Sequence, residues 1–283
     1  MKDLTFHLMH QRDYPLFHKL IEVTGWGLTR RNYERFMSYK NTAGFKAKLG
    51  EKEVGMVFRF LYGEAGWIGN LVVLPHYRGQ GIGEALMRHV MREIEIKGCL
   101  SIRLYSVPEA QFLYKRLGFK CEHLSLRYLG IAKQHEYFET DRMERREIRD
   151  VVELDRRFFG YDREEMLRRI YSDHGDLCFT SSSKGKIIGF IMGKEGRDNV
   201  RVGPWICVPR YRDHAERLLL SLINSRIEET IWIGVPEANI ASRAILESYG
   251  FRRQRISIKM CCGKCGERGN DEGVYGIGGP EKG

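Results

Sequence analysis

An α/β fold built twice in tandem is what the sequence predicts, on three observations. Helical and strand periodicities alternate along the chain. The order of elements in the first half recurs in the second at a nearly constant offset. In the first half, three glycines crowd the start of a helix directly after an apolar strand. A length of 283 residues suits two domains of ordinary size.

The elements follow in order. Residues 12–23 (RDYPLFHKLIEV) carry apolar positions at helical spacing, and 31–39 fit a second short helix. GFKAKLG, EVGMVFRFLYG and AGWIGNLVVL read as three strands divided by Gly-containing turns, with EKE as a hairpin tip. From Ile82 the spacing predicts a helix with Ile82, Leu86, Val90 and Ile94 on one face and Gly98 as its stop. SIRLYSV is a strand, EAQFLYKRL a short helix ending at Gly118, and FKCEHLSLRYLG closes the half as strand. Residues 131–147 are polar and read as a connector. The expected division is therefore 1–130, a connector at 131–147, and 148–283.

The second half repeats this order. P-x-Y-R at Pro75–Arg78 returns 134 residues later at Pro209–Arg212. LYKRLGF, ending at Phe119, faces ILESYGF, ending at Phe251, an offset of 132. Two such close offsets indicate a duplicated domain. In the glycine-rich tail, GVYGIGG fits a short last strand.

Composition narrows the function classes. No apolar run reaches the roughly 18 residues of a membrane helix, and no signal peptide is visible in MKDLTFHLMHQRD, so a cytoplasmic location without membrane association is expected. Seven cysteines, odd in number and scattered, argue against a disulfide framework. In CCGKC, Cys262 and Cys265 have CxxC spacing. No second pair of ligands follows, so no metal is expected. The net charge of +10 favours phosphate-bearing partners.

The glycines need a reason, since glycine within a helix costs roughly 0.8–1 kcal/mol against alanine. The first turn of a helix offers unpaired N–H groups and the positive end of the helix dipole. Gly79, Gly81 and Gly83 would let a diphosphate approach that backbone, with Arg78 flanking it. A tight turn alone is the competing explanation, and three alternating glycines fit it poorly. The nucleotide P-loop pattern is absent. The dinucleotide fingerprint fails too, because its sixth position falls on Glu84 or Leu86.

Arg78-Gly79-Gln80-Gly81-Ile82-Gly83 resembles the acetyl-CoA signature of the GNAT superfamily of N-acetyltransferases, and LYKRLGF resembles that family's LYEKLGF. The resemblance covers most of 1–130. It implies two GNAT-like domains, each a mixed, mostly antiparallel sheet flanked by helices. It also implies acetyl transfer from acetyl-CoA directly to a primary amine, on a small molecule or a protein. Backbone at Leu71, Val72 and Val73 would pair with the pantetheine arm. Amides from Gly79 through Gln80, Gly81, Ile82 and Gly83 to Glu84 would hold the diphosphate, although an acid at Glu84 is a departure. Tyr114 would protonate the leaving thiolate, and the Val73 N–H is a candidate oxyanion donor.

Elsewhere the family pattern weakens. The asparagine seven residues before the tyrosine is here Val107, and SIRLYSV carries no carboxylate base. Glu64, His76 and Glu109 are the candidate bases. Trp26, Tyr33, Phe36, Tyr62 and Trp67 lie where the family builds acceptor sites. Trp26, in GWGL, is the strongest acceptor candidate. In the second half Asp213, Ala215 and Arg217 face the three glycines, and Leu246 faces Tyr114, with Asn239 seven residues before it. That copy is expected to keep the fold and lack the cofactor site. Alternatives are an acyl-CoA sensor without catalysis, suggested by the missing base, and a nucleic-acid-binding protein, for which no aromatic-interleaved basic stripe exists. Monomer and homodimer both remain open.

Overall fold

A computed structural model describes residues 3–136, 140–266 and 268–283. Part of the expected connector, 137–139, lies outside the described residues. In chain order the first elements are β1 (Leu4–Leu8), α1 (Tyr14–Glu22), α2 (Arg30–Ser38), β2 (Thr42–Leu49), β3 (Lys52–Tyr62), β4 (Ala65–Val73), α3 (Ile82–Ile96), β5 (Ser101–Ser106) and α4 (Gln111–Arg116). There follow β6 (Lys120–Ile131), β7 (Asp141–Arg142), α5 (Ile148–Phe159), α6 (Glu164–His174), β8 (Cys178–Ser183), β9 (Lys186–Glu195), β10 (Val200–Cys207), α7 (Arg212–Asn224), β11 (Thr230–Pro236), α8 (Ile240–Ser248), β12 (Arg252–Gly263) and β13 (Val274–Gly276).

The chain forms two compact units. One comprises residues 1–121, 260–265 and 282. The other comprises 122–259, 266–281 and 283. The boundary expected at 130 thus falls inside β6. That strand lies almost wholly in the second unit, where it pairs antiparallel with β11 from Ser125↔Pro236 to Ile131↔Thr230. The first unit takes in the end of β12 instead, with the Lys264 N–H donating to the Leu100 carbonyl at 2.8 Å.

In the first unit β1 to β4 form an antiparallel run, and β5 joins β4 in parallel. Phe17 of α1, Tyr33 and Phe36 of α2, and Phe58 and Phe60 of β3 are buried together, with ring centroids 4.8 to 6.5 Å apart. On α3, Ile82, Leu86, Val90 and Ile94 are buried as their spacing requires. In CCGKC the disulfide joins Cys261 to Cys265, and Cys262 is free. The bond thus does not join the two cysteines that share CxxC spacing to each other. Successive strand residues face opposite ways. Cys261 is buried and bonded to Cys265, whereas the Cys262 Sγ lies 3.9 Å from the Leu117 carbonyl.

The second unit packs α7 against its own sheet through Leu218, Leu219 and Leu222, all fully buried. The α6 helix had no counterpart in the sequence reading. Just before it, Arg163 makes a two-pronged ion pair with Asp155 of α5, both bonds 2.8 Å and both side chains 1% exposed. The Arg163 guanidinium also covers the Phe159 ring at 3.7 Å. Removing one partner of such a pair strands a buried charge, at a cost of about 3–5 kcal/mol. Asp155→Ala is therefore expected to lower the unfolding free energy by that amount, read as a lower urea midpoint at unchanged slope, and Asp155→Asn by less.

Candidate active site

The site begins where two parallel strands part. β4 and β5 pair from Ala65↔Ser101 to Ile68↔Leu104. Beyond that, β4 stays with β3 through Val72↔Met56 and Val73↔Gly55, and its other edge opens. The Leu74 N–H donates to the Val54 carbonyl at 2.9 Å, so residue 74 faces β3. Antiparallel alternation then turns Val72 toward β3 and Val73 away from it. Of the three strand residues expected to meet pantetheine, Val72 has its backbone occupied by β3. The Val73 carbonyl accepts from Arg78 Nε at 2.9 Å, which leaves its N–H on the open edge.

A bulge lies upstream. Phe58 faces Gly69 and Met56 faces Val72, so Asn70 and Leu71 together face Val57. In the second unit the register slips at the matching place, between Val202 and Trp205. Trp205 matches Leu71 by the 134-residue offset, and its backbone pairs with Gly276 of β13.

The glycine turn follows β4. Gly79 and Gly81 have φ of +75° and +78°, a conformation that side chains resist. The turn therefore demands two of the three glycines by itself, more than the sequence argument allowed. Gly83 is different. A Cβ there would meet only Val73 Cγ2, at 3.8 Å, which is ordinary contact. Packing does not explain Gly83, and its missing side chain leaves the start of the helix uncovered there. The first helical bond is from the Ala85 N–H to the Gly81 carbonyl at 3.0 Å. The amides of Ile82, Gly83 and Glu84 therefore begin the helix without intrahelical acceptors. Gln80 Nε2 braces the turn against the His76 carbonyl at 3.2 Å.

Glu84 stands beside this positive end without contributing an unpaired charge. Arg88 donates to it at 2.8 and 3.1 Å, and Arg116 at 3.4 Å. The Arg88 hydrogen bond, opposed by desolvation and reinforced by the charges of Arg88 and Arg116, holds the carboxyl below its usual range. The acid read as a departure from the family pattern is neutralised by two arginines.

Tyr114 lies in α4, 8% exposed, its ring 6.0 Å from that of Phe119. Burial pushes its phenol up to about 12. Trp26 is half-buried between Gly25 and Gly27, with its N–H 3.3 Å from the Thr24 hydroxyl. Tyr33, Phe36, Tyr62 and Trp67 are buried core residues, the commoner of the two places such aromatics take. Tyr33 donates its hydroxyl to the His10 carbonyl at 2.6 Å. Among the candidate bases, Glu64 lies in the turn before β4, at the opposite end of the strand from the glycines. His76 and Glu109 are exposed in turns. Val107 is half exposed.

The second unit closes the same split with its own chain. β10 and β11 pair from Val200↔Ile231 to Val202↔Ile233, and then β13 takes the edge of β10. The Ile277 N–H donates to the Gly234 carbonyl of β11 at 2.8 Å. A side chain at Gly203 would collide with the Ile277 carbonyl. Asn239 caps α8 by accepting from the Ser242 N–H at 2.9 Å. Its amide donates to the carbonyls of Glu272 and Val274, both at 2.9 Å, and so tethers the segment that fills the slot. Sequence reasoning read GVYGIGG as a short last strand and did not place it in this slot.

Comparison with known proteins gives the same assignment for both copies. The acetyltransferase (GNAT) domain family matches residues 40–121 and again 151–276. The chain is similar to a holothin acyltransferase from Pseudoalteromonas sp. (strain SANK 73390), 26% identical over 63% of this chain and 61% of the relative. The match thus spans about three fifths of that relative's length. It is also similar to the N-acetyltransferase YitH of Bacillus subtilis (strain 168), 22% identical over 77% of this chain and 75% of that one. Among solved structures, one from Pyrococcus horikoshii assigned to the acetyltransferases superposes with a TM-score of 0.84, at 22% identity, over 100% of this chain and 97% of its own. A tandem GNAT protein from the clavulanic acid biosynthesis pathway gives 0.66 at 14% identity, over 93% and 99%. The duplicated sequence, the split sheet beside a glycine turn and these matches agree, and the chain belongs to the GNAT acetyltransferase family as a tandem member with a degenerate second domain.

Proposed function

We propose that the first unit transfers the acetyl group of acetyl-CoA to a primary amine. The observation that carries this reading is the contrast between two equivalent splits. The second is filled by a strand of its own chain. The first leaves a backbone edge without a strand partner among the described residues, next to a helix start with glycines at 79, 81 and 83. A ligand with a diphosphate at one end and an amide-bearing arm suits that combination.

The amides of Ile82, Gly83 and Glu84 would bind the diphosphate, with Arg78 beside them. The arm would run along β4 toward the closed end of the split, pairing with backbone at Val73 and then Leu71. Its thioester would reach that closed end. Leu71 lies nearer to it than Val73, so its N–H is the better-placed donor to the carbonyl oxygen as charge develops there. The amine nitrogen bonds to the carbonyl carbon, and the C–S bond breaks with its electron pair going to sulfur. The amine gives up one proton to solvent, sulfur takes one from the Tyr114 hydroxyl, and the phenolate is reprotonated from solvent before the next turnover. A phenol held near 12 is fully protonated at neutral pH and ready for that task. Trp26 is the assigned acceptor contact.

The two glycine positions give opposed outcomes. Gly83→Ala gains helix propensity and is expected to raise stability by up to about 1 kcal/mol in thermal melts, while weakening coenzyme A binding in calorimetry. Gly81→Glu places a charge against the diphosphate and should weaken binding on the order of 100-fold or more; an unchanged affinity would remove the basis of the assignment. Tyr114→Phe should lower the rate of thiol release with a pooled amine library by about 10²–10⁴-fold and leave coenzyme A affinity unchanged. An unaltered rate would favour the non-catalytic sensor. Because the phenol titrates near 12, the rate should climb with pH as the amine loses its proton. It should not decline below about pH 10, since the acid stays protonated there.

A further inference from the structure

Asn70 is the residue of this site that neither the sequence motifs nor the family match assigns. It sits in the β4 bulge with φ +53°, a left-handed conformation that asparagine tolerates better than other side chains. It is 5% exposed. Its Nδ2 is fully buried and has no hydrogen-bond partner among the described residues. A buried amide donor without a partner is costly, and such groups in folded proteins call for an explanation. The turn geometry does not supply one, because glycine would hold the same backbone with no donor to satisfy.

Position supplies it. Asn70 lies two residues past Ile68, the last residue of β4 paired with β5, and directly before Leu71. It therefore stands at the closed end of the split, away from the glycine turn. In the second unit the matching residue is Pro204, which has no donor, and there the slot is filled by the chain itself. The donor occurs only in the copy whose slot is open.

We propose that the Asn70 carboxamide donates a hydrogen bond to the thioester carbonyl oxygen of the acyl-CoA, as a second donor beside the Leu71 N–H. The assignment rests on the acyl-CoA reading above. It makes Asn70 a determinant of acyl recognition, while the diphosphate and pantetheine contacts remain where they were. The partner must be a hydrogen-bond acceptor, which a carbonyl is and an ammonium group is not.

Two ligands differing at that carbonyl test it: acetyl-CoA, and S-ethyl-CoA, which has the same carbon count and no carbonyl oxygen. Calorimetry on the full chain should show the parent preferring acetyl-CoA. Asn70→Gly, which keeps the left-handed backbone and removes the amide, should reduce that preference by about fivefold to tenfold, the loss of one hydrogen bond to a ligand. Its affinity for S-ethyl-CoA should stay within about twofold of the parent's. The unliganded variant should melt no lower than the parent, because the amide has no partner to lose. Asn70→Asp, matched in shape but unable to donate when ionised, should lose the preference as well. Equal weakening of both ligands, or an intact preference in both variants, overturns the assignment of Asn70. A parent protein that binds neither ligand overturns the acyl-CoA reading itself.

Discussion

Everything in this protein turns on what becomes of a backbone edge when two parallel strands separate. Each strand residue carries a donor and an acceptor that must be paired or left to solvent. Where β4 leaves β5 after Ile68 and Leu104, that row of groups is exposed on one side. Where β10 leaves β11 after Val202 and Ile233, the same row is taken up by β13. One geometry, solved in two ways, separates a copy that can accept a strand-like ligand from a copy that has absorbed one of its own segments.

The second copy therefore differs from the first by more than a set of missing glycines. Asp213, Ala215 and Arg217 stand where the first copy has its glycines, and a further difference lies in the slot itself. Asn239 keeps a position that the family uses and redirects its amide to the carbonyls of Glu272 and Val274. Gly203 keeps room for the Ile277 carbonyl. These residues now bind peptide, and the Trp205 and Tyr275 rings pack 5.1 Å apart across the new pairing. In the first copy the balance runs the other way. Glu84 is clasped by Arg88 and Arg116, and Tyr114 is buried until its phenol holds its proton firmly.

Much of this was legible in the residues, and the limits have physical causes. The helix from Ile82, the hairpin of β2 and β3, and the duplication were plain because periodicity and turn residues are local signals. The Gly79–Gly83 turn was located correctly, but two of its glycines answer to backbone conformation as well as to a ligand. The partition of strands was not legible. β6 and β12 carry similar alternating patterns, and nothing within either says which sheet it will join. Tyr33, Phe36 and Trp67 could be read from sequence either way, because an aromatic residue looks the same in a core as in a binding wall. Asn70 drew no attention in sequence, since a single asparagine in an apolar strand becomes notable only once its angle and its unpaired amide are seen.

The first unit is completed by residues 260–265 and 282, which follow its other members only after the whole body of the second unit. A ribosome that has just released Cys121 into the open has delivered the cofactor turn, the helix behind it and the tyrosine, but not the last piece of their sheet. Some 140 residues of further synthesis must pass before that piece arrives, about 7 to 28 seconds at ordinary elongation rates. During that interval the first unit stands with its border unfinished.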